Sequence, residues 1–187
     1  MEDVLTNAGI NFSLTEEQEA IREVARSFTQ NEITPVALHY DETQDFPHEI
    51  FRKLGDLGFL GIMVPTELGG SGMGYMEYAL IVEEIAKGCP AVALGVAAHN
   101  GLCTGHILRF ASEELKQKYI PRLAKGETLG AWGLTEPGSG SDASGMQTTA
   151  VLEGDHYILN GSKNFITHGN VGDIAVMMAA TDRSAGN

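Results

Sequence analysis

Residues 133–145 read "GLTEPGSGSDASG". The stretch is rich in Gly and Ser, carries Thr135 and the carboxylates of Glu136 and Asp142, and has no apolar periodicity. A segment of this kind either connects two elements or wraps a phosphate with its backbone amides. What flanks it decides between these readings and, with them, the fold.

Three phosphate-binding readings apply to it. A P-loop requires Lys after its second Gly, and no Lys follows here. Gly138, Gly140 and Ala143 satisfy G-x-G-x-x-G/A, but that fingerprint works only where a helix N-terminus follows to hold a pyrophosphate. Gly145 comes at once, and then "QTTAVLE" (147–153), which is strand-like. Pro137 also holds the residue before it in extended geometry. There remain a turn whose own amides line an anion nest, with hydroxyls from Ser139 and Ser141, and a plain surface loop. "WGLT" (132–135) favours the nest, because an extended aromatic–apolar–Thr segment running into it can lay a flat ring along a strand edge.

Towards the N-terminus the chain reads as helices. Ser13 and Thr15 offer N-caps, with Glu16 and Gln18 three residues on as capping-box partners. Ile21, Val24, Ala25 and Phe28 then share a face, and Pro35 is expected to kink or end this helix. Ile50, Phe51, Leu54 and Leu57 mark a second helix, closed by Gly55 and Gly58. After the loop "VPTELGGSGMG" (64–74) a third turns Tyr78, Ile81, Val82 and Ile85 inward. The fourth, roughly 90–110, holds Ala91, Ala93, Gly95, Ala97 and Ala98 with hardly any charge before Arg109. Small residues on several faces place it among neighbours or along a cavity. His99 and His106 on it are acid–base candidates, although a helix-borne His is more often a polar packing residue. A fifth helix from Ser112 packs Leu115, Tyr119, Ile120 and Leu123.

Near Gly126 to Gly130 the period changes to two. "TLGAWGLT" (128–135), "QTTAVLE", "HYILNG" (156–161), "NFITHG" (164–169) and "DIAVMMAA" (173–180) read as strands, with a hairpin turn at Gly154-Asp155. Helices followed by antiparallel strands predict an α+β chain of two domains, helical over 1–127 and β over 128–187.

Composition bounds the function. Of 187 residues 43% are hydrophobic and 20% charged, an ordinary globular balance, while a net charge of −13 argues against nucleic acid and anionic membranes as partners. The longest apolar run, "AVALGVAA" (91–98), is too short to span a bilayer. Cys89 and Cys103 have no metal or redox spacing and read as small buried side chains in a reducing compartment. "MEDVLTNAGINF" has neither a signal-peptide nor a transit-peptide pattern, and the N-x-S sequons at Asn11 and Asn160 mean little without secretion. The expected setting is the cytoplasm.

"GLTEPGSGSDASG" resembles the first signature of the acyl-CoA dehydrogenase family, meeting it at Gly133, Leu134, Thr135, Glu136, Gly140, Ser141, Asp142 and Gly145. "LNGSKNFITHG" (159–169) is similar to the family's strand in which N-G-x-K precedes an aromatic, an apolar residue and Thr. "LTEEQEAIREVARSF" (14–28) and "EELKQKYIPRLAKGE" (113–127) are similar to family helices, so the resemblance runs through the chain in order. It implies an N-terminal helical domain, a middle antiparallel β-barrel-like domain, partial here, and a C-terminal helical domain that this sequence does not include. It implies FAD as cofactor, bordered by Trp132, Leu134 and Thr135 on one side and by Phe165, Ile166 and Thr167 on the other. Gly140 and Ser141 would meet the pyrophosphate. Phe165 is a departure, since many relatives carry Trp at that place.

The implied substrate is an acyl-CoA thioester, with Ser141 at its phosphates and Leu94, Ala98 and Gly101 shaping the acyl pocket. The implied reaction is α,β-dehydrogenation to the trans-2-enoyl-CoA, with electrons passing to electron-transferring flavoprotein, usually in a homotetramer. The general base of the family is a Glu of the C-terminal domain, so no catalytic residue is assigned here, and Glu136 is read as a loop carboxylate beside the nest. The 187-residue chain is accordingly expected to bind FAD weakly and to lack turnover. A non-catalytic assembly module and an oxygen-using oxidase-like relative stand as alternatives.

Overall fold

The computed structural model describes residues 13–185. The N-terminal stretch with Asn11 lies outside them. Thr15 caps helix α1 (Glu16–Phe28) with both halves of the capping box: its Oγ1 accepts from Gln18 N at 3.2 Å, and Gln18 Oε1 accepts from Thr15 N at 3.1 Å. The rod does not end at Pro35. A π-helical turn, Thr29–Ile33, leads into α2 (Thr34–Thr43), and Thr34 N–H reaches back five residues to Thr29. That wider turn just ahead of Pro35 absorbs its missing donor and its ring, so the axis continues to a left-handed Gln44.

Helix α3 (His48–Asp56) and α4 (Tyr75–Gly88) follow, the second packed against α1. Glu84, buried on α4, takes two bonds from the Arg26 guanidinium (3.0 and 3.3 Å) and one from Lys87 (2.8 Å). Helices α5 (Pro90–Ala97) and α6 (Gly105–Phe110) are joined by a π-helical stretch, Ala98–Thr104, into one 21-residue helix. By length and composition that helix could cross a bilayer, which the eight-residue apolar run did not suggest, but 56% of its apolar window is buried within the protein. Helix α7 (Glu113–Ala124), capped by Ser112, completes the helical part.

The expected faces hold at their centres and fray at their flanks. Ala25, Ile50, Phe51, Leu54, Ile81, Ile85, Ile120 and Leu123 are buried, whereas Val24, Leu57 and Leu115 stand more than 40% exposed. Phe59, Leu60 and Ile62, on the loop after α3, are buried to within 1% and join Leu54, Ile81, Ile85 and Val96 in the main core. Burying each such side chain contributes about 1.5–3 kcal/mol. A second cluster sets Cys103, Ile107, Ile120 and Leu123 against Ile174 and Val176 of the β part. Both cysteines are free thiols.

The β part departs from a simple antiparallel barrel. Strands β2 (Thr149–Glu153) and β3 (His156–Asn160) form the hairpin read from the sequence, turning at Gly154 with φ +65°. Strand β1 (Gly130–Gly133) instead pairs in parallel with β4 (Ile174–Met177), in the register Gly130↔Ile174 to Gly133↔Met177. Alternation cannot show strand direction, and the forty residues between these two strands supply the long crossover that parallel pairing needs. "NFITHG" is not a strand. It folds as turns, because Phe165 and His168 take left-handed φ values of +58° and +63°. The β2–β3 ribbon leaves Val151, Leu152, Tyr157, Ile158 and Leu159 exposed on both of its faces.

Candidate functional site

Two segments far apart in sequence meet beside the 90–110 helix. Trp132, Leu134 and Thr135, at the end of β1 and just past it, face Phe165, Ile166 and Thr167, and Ala98 and Leu102 close the side. These eight residues line a pocket of about 200 Å³. All six wall residues chosen from the two motifs are therefore in one place, together with Ala98. Leu94 is 60% exposed and lies outside this lining, and Gly101 sits instead against the Tyr78 hydroxyl. Phe165 borders the pocket with its ring 94% exposed, and its left-handed backbone stores about 1–2 kcal/mol of strain. The indole Nε1 of Trp132 is buried and has no hydrogen-bond partner among the described residues.

The two walls are stitched together behind the pocket. Asn164 N–H donates to the Thr135 carbonyl at 2.8 Å, and Lys163 Nζ donates to the Leu134 carbonyl at 3.0 Å. Lys163 also pairs with Glu136 at 2.7 Å, the two side chains being only 8% and 4% exposed. Glu136 accepts two further bonds, from Thr148 N (2.9 Å) and Gln147 N (2.5 Å), at the entry to β2. The Lys163 ammonium foremost, and these donors after it, hold the Glu136 carboxyl down to about 2 against the upward push of burial. Glu136 is thus a buried tie rather than a carboxylate on a loop. Its depressed pKa and occupied oxygens also unfit it to accept a proton at neutral pH.

Beyond Glu136 the Gly- and Ser-rich loop is open. Ser139 is tucked in, its hydroxyl donating to the Asp142 carbonyl at 2.6 Å, while Gly140 and Ser141 are exposed. Only a three-residue 3₁₀ turn, Ala143–Gly145, follows, so there is no helix terminus of the kind a dinucleotide fingerprint requires. Gly138 and Gly140 have no left-handed φ, and a Cβ built on either would meet nothing within 4 Å. Neither the turn nor packing within the chain demands glycine there, and the space above both is free.

The helical histidines are packing groups. His99 is fully buried; its Nε2 lies 3.0 Å from the Leu123 carbonyl, and its Nδ1 accepts from Gly130 N at 3.1 Å, which assigns the ring proton to Nε2. Burial pushes His99 down to about 4. His168 grips the other side of the same residue, its Nδ1 donating to the Gly130 carbonyl at 3.0 Å, with Phe46 and Phe51 packed edge to face against its ring. His106 is half-buried, with its Nδ1 2.7 Å from the Leu102 carbonyl and its ring 5.3 Å from Trp132.

Lys163, Leu102 and His168 were not singled out from the sequence. For the first the only signal in the sequence was its place in the N-G-x-K block, with nothing to name Glu136 as its partner. Leu102 and His168 carried none, since each reads as an ordinary packing or turn residue.

The domains in which this geometry sits are those of a known group. The family model described as the acyl-CoA dehydrogenase N-terminal domain matches residues 15–127, and that of the acyl-CoA dehydrogenase middle domain matches residues 131–187. The chain belongs to the acyl-CoA dehydrogenase family. It is 48% identical over 177 residues to a short-chain specific acyl-CoA dehydrogenase of Clostridium acetobutylicum, covering 95% of this chain and 47% of that protein. Among solved structures it is similar to a glutaryl-coenzyme A dehydrogenase in complex with glutaryl-CoA (TM-score 0.91, 39% identity, 95% of this chain and 46% of that one). It is also similar to an acyl-CoA dehydrogenase complexed with FAD from Bacillus anthracis (TM-score 0.84, 40% identity, 89% and 30%). The chain spans about half the length of the curated relatives it matches.

Proposed function

We propose that this chain forms the flavin-holding part of an acyl-CoA dehydrogenase, with the isoalloxazine ring of FAD between the 132–135 and 165–167 walls. The observation that carries this is the meeting of six motif residues from two distant segments in one pocket against a helix of small residues. The residues present suit the cofactor. The walls are apolar and aromatic, with Thr135 and Thr167 as the polar side chains among the lining. The space above Gly138 and Gly140 suits a pyrophosphate on the loop, with Ser141 exposed beside it.

When bound, FAD supplies the acceptor for a hydride from the β carbon of an acyl-CoA. The residues of this chain bind and orient: Thr135 and Thr167 offer hydrogen-bond donors towards the ring, which stabilise charge arriving on it. Ala98 and Leu102 offer the acyl chain an apolar side. The relatives named as acyl-CoA dehydrogenases support an acyl-CoA thioester as substrate of the whole protein, and a solved electron-transferring flavoprotein study among the similar structures supports that acceptor. A homotetrameric assembly belongs to the same reading on the family resemblance alone. The two free thiols suit a cytoplasmic setting.

Trp132 is the single tryptophan and lines the pocket, so its fluorescence reports on occupancy. Titration of the purified chain with FAD is expected to quench it saturably at about one flavin per chain, and Thr135→Ala with Thr167→Ala to weaken binding. Quenching that stays linear up to about 1 mM FAD, a binding free energy weaker than about −4 kcal/mol, sinks the proposal.

A further inference from the structure

We propose that Lys163, held in place by Glu136, is a positioning residue that sets the separation of the two pocket walls; this rests on the flavin reading for its use, though not for its geometry. Lys163 precedes one wall, at 165–167, by two residues, yet its ammonium bonds the carbonyl of Leu134 in the other wall. The adjacent peptide link, Asn164 N–H to Thr135 O, fixes the same two segments one residue further along. Glu136 follows the first wall directly, and its carboxylate receives Lys163 on one side and the amides of Gln147 and Thr148 on the other. One buried ammonium therefore ties wall to wall, and one buried carboxylate ties that ammonium to the foot of β2.

This arrangement does more than neutralise a charge. Lys163 sits at the end of a loop that carries left-handed Phe165 and His168, so the backbone of the second wall is not held by a regular strand ladder. Peptide 163–164 bonds across to the first wall only while that wall presents its carbonyls, and Lys163 keeps the Leu134 carbonyl turned towards it. With the ammonium gone, the 165–167 segment is held ahead of the wall by the Asn164 link alone, and behind it by the bond from His168 to the Gly130 carbonyl. A binding surface built on turns depends on such supports for its spacing, because small displacements there cost much of the affinity.

The test uses the 187-residue chain and reads Trp132, with and without FAD. Lys163→Met alone leaves the Glu136 carboxylate buried without its cation, which can unfold the region. The double variant Lys163→Met with Glu136→Gln is therefore the decisive one, since it removes the wall-to-wall bond without stranding a charge. It is expected to keep the helical far-UV signal, to raise the acrylamide quenching constant of Trp132 about twofold and to weaken FAD binding at least about tenfold. Lys163→Arg, which keeps the charge and donors, is expected to recover part of both. A double variant that matches the wild type in both quenching and FAD affinity overturns the proposal, as does loss of the helical signal in both variants. A wild-type chain that binds no FAD, while the double variant still shows the quenching change, rejects the flavin reading and leaves the positioning role standing.

Discussion

Glu136 shows how one residue can be legible as a motif position and misread as a physical object. The sequence placed it beside the nest, with no partner in view, so a solvated carboxylate was the reading to expect. Its partners come from residues 147, 148 and 163, and only the fold brings them together. Because its carboxyl is held near 2 rather than at its ordinary 4.5, its stabilising contribution is complete above 4.5 and is lost as pH falls from there to 2. Urea midpoints of wild type and Glu136→Gln should therefore differ at pH 6 and converge by pH 2. A difference that does not change across that range removes Glu136 as the titrating group.

At the scale of the element, composition told more than period did. The small residues of 90–110 pointed to crowding, and Gly95 shows what the crowding is: a Cβ there would lie 2.6 Å from Phe51 Cζ and 2.9 Å from His168 Nε2, both on buried side chains. Two effects compete in Gly95→Ala. Helix propensity favours Ala by about 1 kcal/mol, whereas overpacking a closed core costs about 1–3 kcal/mol. The clash should win, giving a net loss of up to about 2 kcal/mol by chemical denaturation; a stabilised variant would show that Phe51 and His168 can yield. The strand misread at 164–169 has the opposite lesson. Its β-prone residues satisfy every compositional rule, but the bonds at Asn164 and Gly169 and two left-handed residues turn the chain, and none of these shows in a residue pattern.

For the whole molecule, the change from helical to β periodicity was visible in the residues, and so was the hairpin. What joins the two parts was not. Gly130 is clasped between His99 of the helical part and His168 of the β part, and Leu129 N–H is held by Asp173 at 2.9 Å. The folded protein keeps His99 neutral down to about 4, so the unfolded chain takes up its proton first once pH drops below the ordinary 6.5. Stability that is complete above 6.5 should fall by about 3 kcal/mol on the way to pH 4 from this group, with His168, also depressed by burial, acting in the same direction. His99→Gln should be less stable at pH 7 but flatter between pH 6.5 and 4. Equal slopes in the two proteins would place the acid sensitivity elsewhere.

The β2–β3 ribbon carries a consequence for colloidal behaviour. Val151, Leu152, Tyr157, Ile158 and Leu159 form a sticky two-sided flap, and the outer rim of β3 has no neighbouring strand among the described residues. Mutual repulsion between molecules of net charge −13 opposes contact between such flaps, and its range shrinks to about 3 Å in molar salt. Light scattering from the concentrated chain should therefore climb when salt is added. Leu152→Lys with Ile158→Lys, one charge on each strand of the flap, should suppress that turbidity while leaving the helical core as it is.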